Sequence, residues 1–85
     1  MEIEWDDAKD VENLAKHGLS FSAFVGFDEE AAVSIDKRYD YGEVRYRAFG
    51  RIDGIGHCLV FTIRDNKRRL ISFRRARDQE MRRHE

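Results

Sequence analysis

The hydrophobic period shifts from helical spacing to two near residue 31, and that shift restricts what the chain can fold into. Between residues 8 and 25 the apolar residues recur at helical spacing. Ala8, Val11, Leu14 and Ala15 form one stripe, and Phe21, Phe24 and Val25 follow at i, i+3 and i+4. From Ala31 the period is two: Ala31, Val33 and Ile35 alternate with Ala32, Ser34 and Asp36, as a half-buried strand requires. A helical first third followed by a strand-rich remainder points to an α+β domain.

Punctuating residues set the boundaries. Glu2-Ile3-Glu4-Trp5 alternates and predicts a short first strand. Asp6 or Asp7 then caps a helix over 6–17, because an aspartate there accepts hydrogen bonds from the free first-turn amides. Lys16 and His17 fall in its last turn, where the helix dipole favours positive charge, and Gly18 ends it. Ser20 caps a second, shorter helix that Asp28-Glu29-Glu30 closes. After the strand beginning at 31, the polar segment 37–43 turns at Gly42. Further strands are predicted at about 44–52, 57–64 and 69–74, joined at Asp53-Gly54-Ile55-Gly56 and Asp65-Asn66-Lys67. A charged helix from Arg75 to Glu85 closes the chain, supported by Asp78–Arg82 and Glu80–His84 at i,i+4. Only Ala76 and Met81 give it apolar contact, so light docking is expected. The predicted order is β-α-α-β-β-β-β-α, an antiparallel sheet with helices packed on one side, in one domain over 1–85. Most glycines fall at turns or helix ends; Gly26 and Gly50 do not.

Composition narrows the function classes. A chain of 85 residues buries only roughly 60% of the surface its unfolded form exposes, which is compatible with a stabilising partner. Cys58 is the one cysteine, so no intramolecular disulfide forms, and its apolar neighbours suit a core position. No stretch approaches the ~20 apolar residues of a membrane span, and the acidic start carries no signal-peptide n-region. A cytoplasmic location is expected. Three scattered histidines and the single cysteine give no metal-ligand spacing, and no phosphate-binding glycine loop is visible. No cofactor is expected. The net charge of −1 conceals a division. Residues 1–43 hold four Lys/Arg and twelve Asp/Glu, whereas residues 44–85 hold twelve and five. A basic second half suits a polyanion or an acidic partner, unless the two halves simply neutralise each other across the fold.

Three collinear blocks are recognisable. Trp5-Asp6-x-x-Lys9, Asn13 and Lys16-His17-Gly18-Leu19-x-Phe21 resemble the N-terminal signature of BrnT toxins. Asp40-Tyr41-Gly42-Glu43-x-Arg45 and Gly50-Arg51-Ile52-Asp53-Gly54 are similar to the middle of that family. Arg64, Ile71-Ser72-x-Arg74-Arg75-Ala76 and Arg82-Arg83-x-Glu85 resemble its last strand and helix. The resemblance implies a RelE-like fold, ribonuclease activity and neutralisation by a BrnA antitoxin. It further implies that this partner carries a ribbon-helix-helix region, so that operon DNA is reached only through the antitoxin. Two positions depart from the pattern: Asp10 replaces a different polar residue, and His84 stands where a tyrosine is frequent.

RNA cleavage without a metal must hold a phosphate, stabilise added negative charge and move two protons. Arginine suits the first two tasks, because its planar fork grips phosphate oxygens and keeps its charge. Histidine suits the third, since it titrates near neutrality. Candidate phosphate and transition-state contacts are Arg64, Arg74 and Arg77, with His17 or His84 as proton carrier. Lys16, Arg45, Arg47, Arg51, Arg75 and Arg83 are candidate RNA-binding groups. Each has a plainer reading beside it. His17 can serve only the helix terminus, His84 can be a solvated end residue, and Arg45, Arg47 and Arg51 can line an exposed sheet face. His57 suits a structural role, Lys67-Arg68-Arg69 a solvated turn, and Tyr39, Tyr41 and Tyr46 either packing or base stacking. Two functions follow. One is an endoribonuclease toxin that inhibits translation. The other is a non-catalytic binding module, a degenerate toxin, whose basic half holds an acidic protein or nucleic acid.

Overall fold

The computed structural model describes all of residues 1–85. Its elements are β1 (Ile3–Glu4), α1 (Asp7–His17), a 3-10 turn (Phe21–Ala23), β2 (Ala32–Ile35), β3 (Tyr46–Ile52), β4 (Ile55–Arg64), β5 (Lys67–Arg75) and α2 (Asp78–His84). The class is α+β, and the five strands form one sheet in the order β1-β5-β4-β3-β2. The sheet is mixed, not purely antiparallel: β1 runs parallel to β5, with Ile3 opposite Arg68. The chain reaches that edge directly before α1, so β1 enters in the direction of β5. The predicted second helix is a single 3-10 turn. Ser20 caps it, but Phe24 is already extended. Asp28 does not close a helix; its carboxylate accepts the amides of Asp53 and Gly54 and so caps the β3–β4 hairpin.

Both hairpins are tighter than the sequence suggests. Asp53 and Gly54 have φ of 51° and 78°, and Asp65 and Asn66 have φ of 53° and 62°. Two successive positive-φ residues make two-residue turns whose twist matches the strands. Ile55 and Gly56 therefore belong to β4, opposite Ile52 and Arg51. β5 correspondingly runs through Arg75, paired with His57, which delays α2 to Asp78.

Alternation gives the sheet two different faces. One carries the main core, Ala48, Leu59, Phe61, Leu70 and Phe73, covered by Phe21 and Phe24. Gly50 lies on this face because a Cβ there would come within 2.6 Å of the Phe27 ring. The other face carries Phe49 and Cys58, and Met81 of α2 closes over them. Met81 is fully buried, and it packs against Gly56 where a side chain would collide with it. Both helices flank this second face: α2 through Met81, and α1 through the Lys16–His17 end, which meets Ser72 and Arg74.

α1 sits the opposite way round from its apolar pattern. Val11 and Leu14 are 69% and 50% exposed, while Asn13 is buried. The cause is hydrogen bonding at the edge of β5. The Asn13 side chain accepts from the Phe73 amide at 3.0 Å and donates to the Phe73 carbonyl at 2.8 Å and the Leu19 carbonyl at 2.8 Å. Past the end of β1, one side-chain amide thus supplies the pairing that a neighbouring strand would give. Asp10, one turn earlier, accepts from the Phe21 amide and from the Ser20 hydroxyl. Buried backbone groups must be satisfied, and here they outrank the apolar stripe in choosing which side of the helix faces inward.

Candidate functional site

The second face of the sheet is where charge collects. Across it run two rows set by the strand register. Phe49, Cys58 and Arg74 form one, and Arg47, Val60 and Ser72 the next. Adjacent strands are about 4.8 Å apart, so each row brings three side chains together. The end of α1 and the segment 36–45 raise walls around them. The result is a concavity of about 210 Å³ lined by Lys16, His17, Arg38, Arg45, Arg47 and Arg74, with buried Asp36 in its wall.

Most of these cations are already answered. The Asp36 carboxylate accepts from the Arg38 guanidinium at 2.8 Å and the Tyr41 hydroxyl at 2.9 Å, and these bonds hold its pKa far below the usual carboxylate range. Arg45 lies over the Tyr41 ring at 4.1 Å and pairs with Glu43. Arg74 makes a bidentate pair with Glu80 at 2.9 and 2.8 Å, which holds Glu80 well below its ordinary pKa. Its third protein bond goes to the Arg75 carbonyl, leaving the Nε–H free. Arg47 differs from these three arginines. It forms no ion pair, and its buried Nε has no hydrogen-bond partner.

Arg47 also connects the concavity to α2. Its guanidinium carbon lies 5.6 Å from the centre of the Phe49 ring. His84 stacks on Phe49 with centroids 4.1 Å apart and planes 4° from parallel. Burial lowers the His84 pKa, and the charges of Arg47 and Arg83 lower it further. Burial likewise lowers His17, with Lys16 and Arg74 adding to the effect. Both imidazoles are therefore biased toward the neutral form that accepts a proton. Cys58 lines the same concavity beside Arg74 in register, but burial raises its thiol pKa. A buried neutral thiol is inert as a nucleophile.

Of the predicted candidates, Lys16, His17, Arg45, Arg47 and Arg74 line one concavity, and His84 stands beside it. Others lie elsewhere. Arg64 ends β4 in a separate hollow with Val44 and Thr62, 3.7 Å from Glu43. Arg75 pairs with His57 in register and so projects to the face opposite Arg74. Arg51 is tied to Glu85 at 2.8 Å and to the Gly54 carbonyl. Arg77 occupies the N-cap of α2, where its amide donates to Glu80, and Arg83 lies exposed on that helix. Asp36, Arg38, Glu80 and Ser72 enter the site without having been singled out. The Asp36-x-Arg38 spacing reads as an ordinary turn, and Glu80 meets Arg74 only because the chain reverses between β5 and α2.

No three metal-ligating side chains come together in the structure, and no helix is long and apolar enough to cross a membrane. No curated protein matches the chain. A family model described as the ribonuclease toxin, BrnT, of type II toxin–antitoxin systems matches residues 5–80.

Proposed function

The chain belongs to the BrnT family of ribonuclease toxins of type II toxin–antitoxin systems, and from that premise we propose that the concavity around Arg47 and Arg74 cleaves RNA without a metal. The observation that carries this reading is Arg47. A buried donor without a partner costs about 1–3 kcal/mol, and an acceptor arriving with a ligand would relieve that cost. A phosphate oxygen meets that need. Arg74, fixed by Glu80, offers its free Nε–H from the neighbouring row. Lys16 and Arg45 take flanking phosphates.

In the proposed reaction the ribose 2′-oxygen attacks phosphorus and the bond to the 5′-oxygen breaks, leaving a 2′,3′-cyclic phosphate and a 5′-hydroxyl. His84, biased toward the neutral form and held flat on Phe49, takes the 2′-hydroxyl proton. His17, in the wall of the concavity, is the second titrating group; in its protonated form it gives a proton to the leaving 5′-oxygen. Turnover therefore needs one imidazole neutral and the other charged. Arg47 and Arg74 face the charge that builds on the phosphoryl oxygens. Arg64, Arg75 and Arg77 lie outside the concavity and act at most on distant parts of the RNA. The toxin works in the cytoplasm, inhibits translation by consuming RNA, and is neutralised by a BrnA-like antitoxin that brings the ribbon-helix-helix contact to operon DNA.

The test is incubation of the isolated chain with labelled RNA, with and without EDTA, beside Arg47→Ala. RNA should be shortened in both conditions, and the variant should be slower by about 10²–10³-fold, by analogy with loss of one oxyanion donor. Cleavage that stops on chelation would refute the metal-free reaction. RNA that is retarded in a gel yet never shortened would establish the non-catalytic binding module instead.

A further inference from the structure

β2 is the exposed edge of the sheet, and it is unprotected. Soluble proteins blunt such edges with charges, prolines or bulges, yet Ala32-Val33-Ser34-Ile35 contains no charge or proline, and its pairing to β3 is regular. The Asp36 amide donates to the Arg45 carbonyl. By antiparallel alternation, Ala32 and Ser34 bond inward to β3, and the amides and carbonyls of Val33 and Ile35 point outward. The side chains of those two residues are 55% and 50% exposed.

Cavities open beside this edge on both faces of the sheet. On the core face a groove of about 510 Å³ runs along Phe24, Val25, Phe27, Val33, Ala48 and Phe61, with Glu29 and Glu30 at the rim it shares with the cavity on the other face. Val25 at its lip is 88% exposed. On the other face a cavity of about 470 Å³ is bordered by Ala32, Phe49, Arg51, Glu29, Glu30 and Glu85. Arg51 is already satisfied by Glu85, and Glu29 and Glu30 form no ion pair. An added strand sends alternate side chains to opposite faces. One set would enter a groove lined mostly by apolar side chains, and the other a cavity bordered by Asp28 and Glu85, with Glu29 and Glu30 at the rim between them.

We propose that β2 is the docking edge for the antitoxin, which adds a sixth strand alternating apolar and basic side chains. The proposal rests on the family reading that a protein antitoxin binds this chain. Edge addition gives affinity through main-chain hydrogen bonds and specificity through alternate side chains, and here both are laid out. The basic set meets Glu29 and Glu30, while the apolar set covers Val25, Val33 and Ile35.

The experiment uses the full chain and its cognate antitoxin, with affinity measured by calorimetry and folding by thermal unfolding. Val33→Pro removes an outward amide without touching the inward ladder, and Ile35→Lys places a charge on the apolar side. Each should weaken antitoxin binding by at least about tenfold, which is about 1.4 kcal/mol, while RNA cleavage by the free toxin stays unchanged. Val11→Lys, on the other exposed apolar stripe, should bind as the unaltered chain does. Full affinity in both β2 variants, or loss confined to Val11→Lys, would overturn the proposal. So would a toxin dimer that Ile35→Lys dissolves without affecting the antitoxin, since a second copy would then be the occupant. Failure of the unaltered chain to bind the antitoxin would refute the family reading beneath it, a result distinct from failure of the edge.

Discussion

Arg47 carries opposite consequences for stability and for activity. Its neighbours Arg38, Arg45 and Arg74 each have a carboxylate, while its own Nε is buried without an acceptor. Removing an unsatisfied buried donor relieves about 1–3 kcal/mol, against which the lost packing of the side chain must be set. Arg47→Ala is therefore expected to unfold at the same temperature or higher, even as RNA cleavage falls. A large drop in unfolding temperature would make Arg47 a structural residue. The same side chain also acts on His84. Burial is the first cause of the lowered His84 pKa, and Arg47 the next. Arg47→Gln removes that cation, so the imidazole pKa should rise, as followed by NMR titration of the ring protons. The sign matters for the rate. A base must be neutral, so the acidic limb of the cleavage profile should lie below the ordinary imidazole range and move upward in the variant. An unmoved His84 titration would separate the two residues.

Secondary-structure elements show where pattern and hydrogen bonding disagree. The helix over 6–17, its aspartate cap and its Gly18 stop were legible because each depends on local chemistry. The facing of α1 was not, because it depends on Phe73, sixty residues away, whose amide and carbonyl Asn13 satisfies. Asn13→Ala should cost about 2–4 kcal/mol, since it leaves buried peptide groups unpaired at a sheet edge. Asn13→Asp should be hardly milder, because a carboxylate cannot donate to the Phe73 and Leu19 carbonyls. Denaturant unfolding of both variants checks this. A loss below about 1 kcal/mol would mean that water replaces the side chain. The glycines teach the same lesson. Gly50 had no visible reason in the sequence because its reason is the Phe27 ring lying over β3. Likewise, β1 joined β5 in parallel through a pairing that alternation within either segment cannot reveal.

At the scale of the whole molecule, the division of charge between the halves was legible, but its distribution in space was not. Six of the twelve basic residues after position 43 find a carboxylate: Arg45, Arg51, Arg64, Lys67, Arg69 and Arg74. Lys67 and Arg69 pair across the fold with Glu2 and with Glu4 and Asp6. Mutual neutralisation is thus real for part of the surface, and the remaining cations do not form one field. Arg47 lies in the concavity, Arg75 projects to the opposite face, and Arg82 and Arg83 lie along α2. RNA held in the concavity should therefore release few counterions. Single strands lose about 0.7 in log affinity per phosphate for each tenfold rise in salt. Contact by Arg47, Arg74 and one or two neighbours gives a slope of about −2 to −3. Engagement of all twelve cations would give about −8. The slope is measured with an oligonucleotide carrying a 2′-deoxy sugar at the scissile position, so that binding is read without cleavage. A value near the steeper limit would show that RNA wraps the domain and would remove the concavity as its footprint. A shallow value lost on Arg47→Ala would confine recognition to the face where His17 and His84 stand.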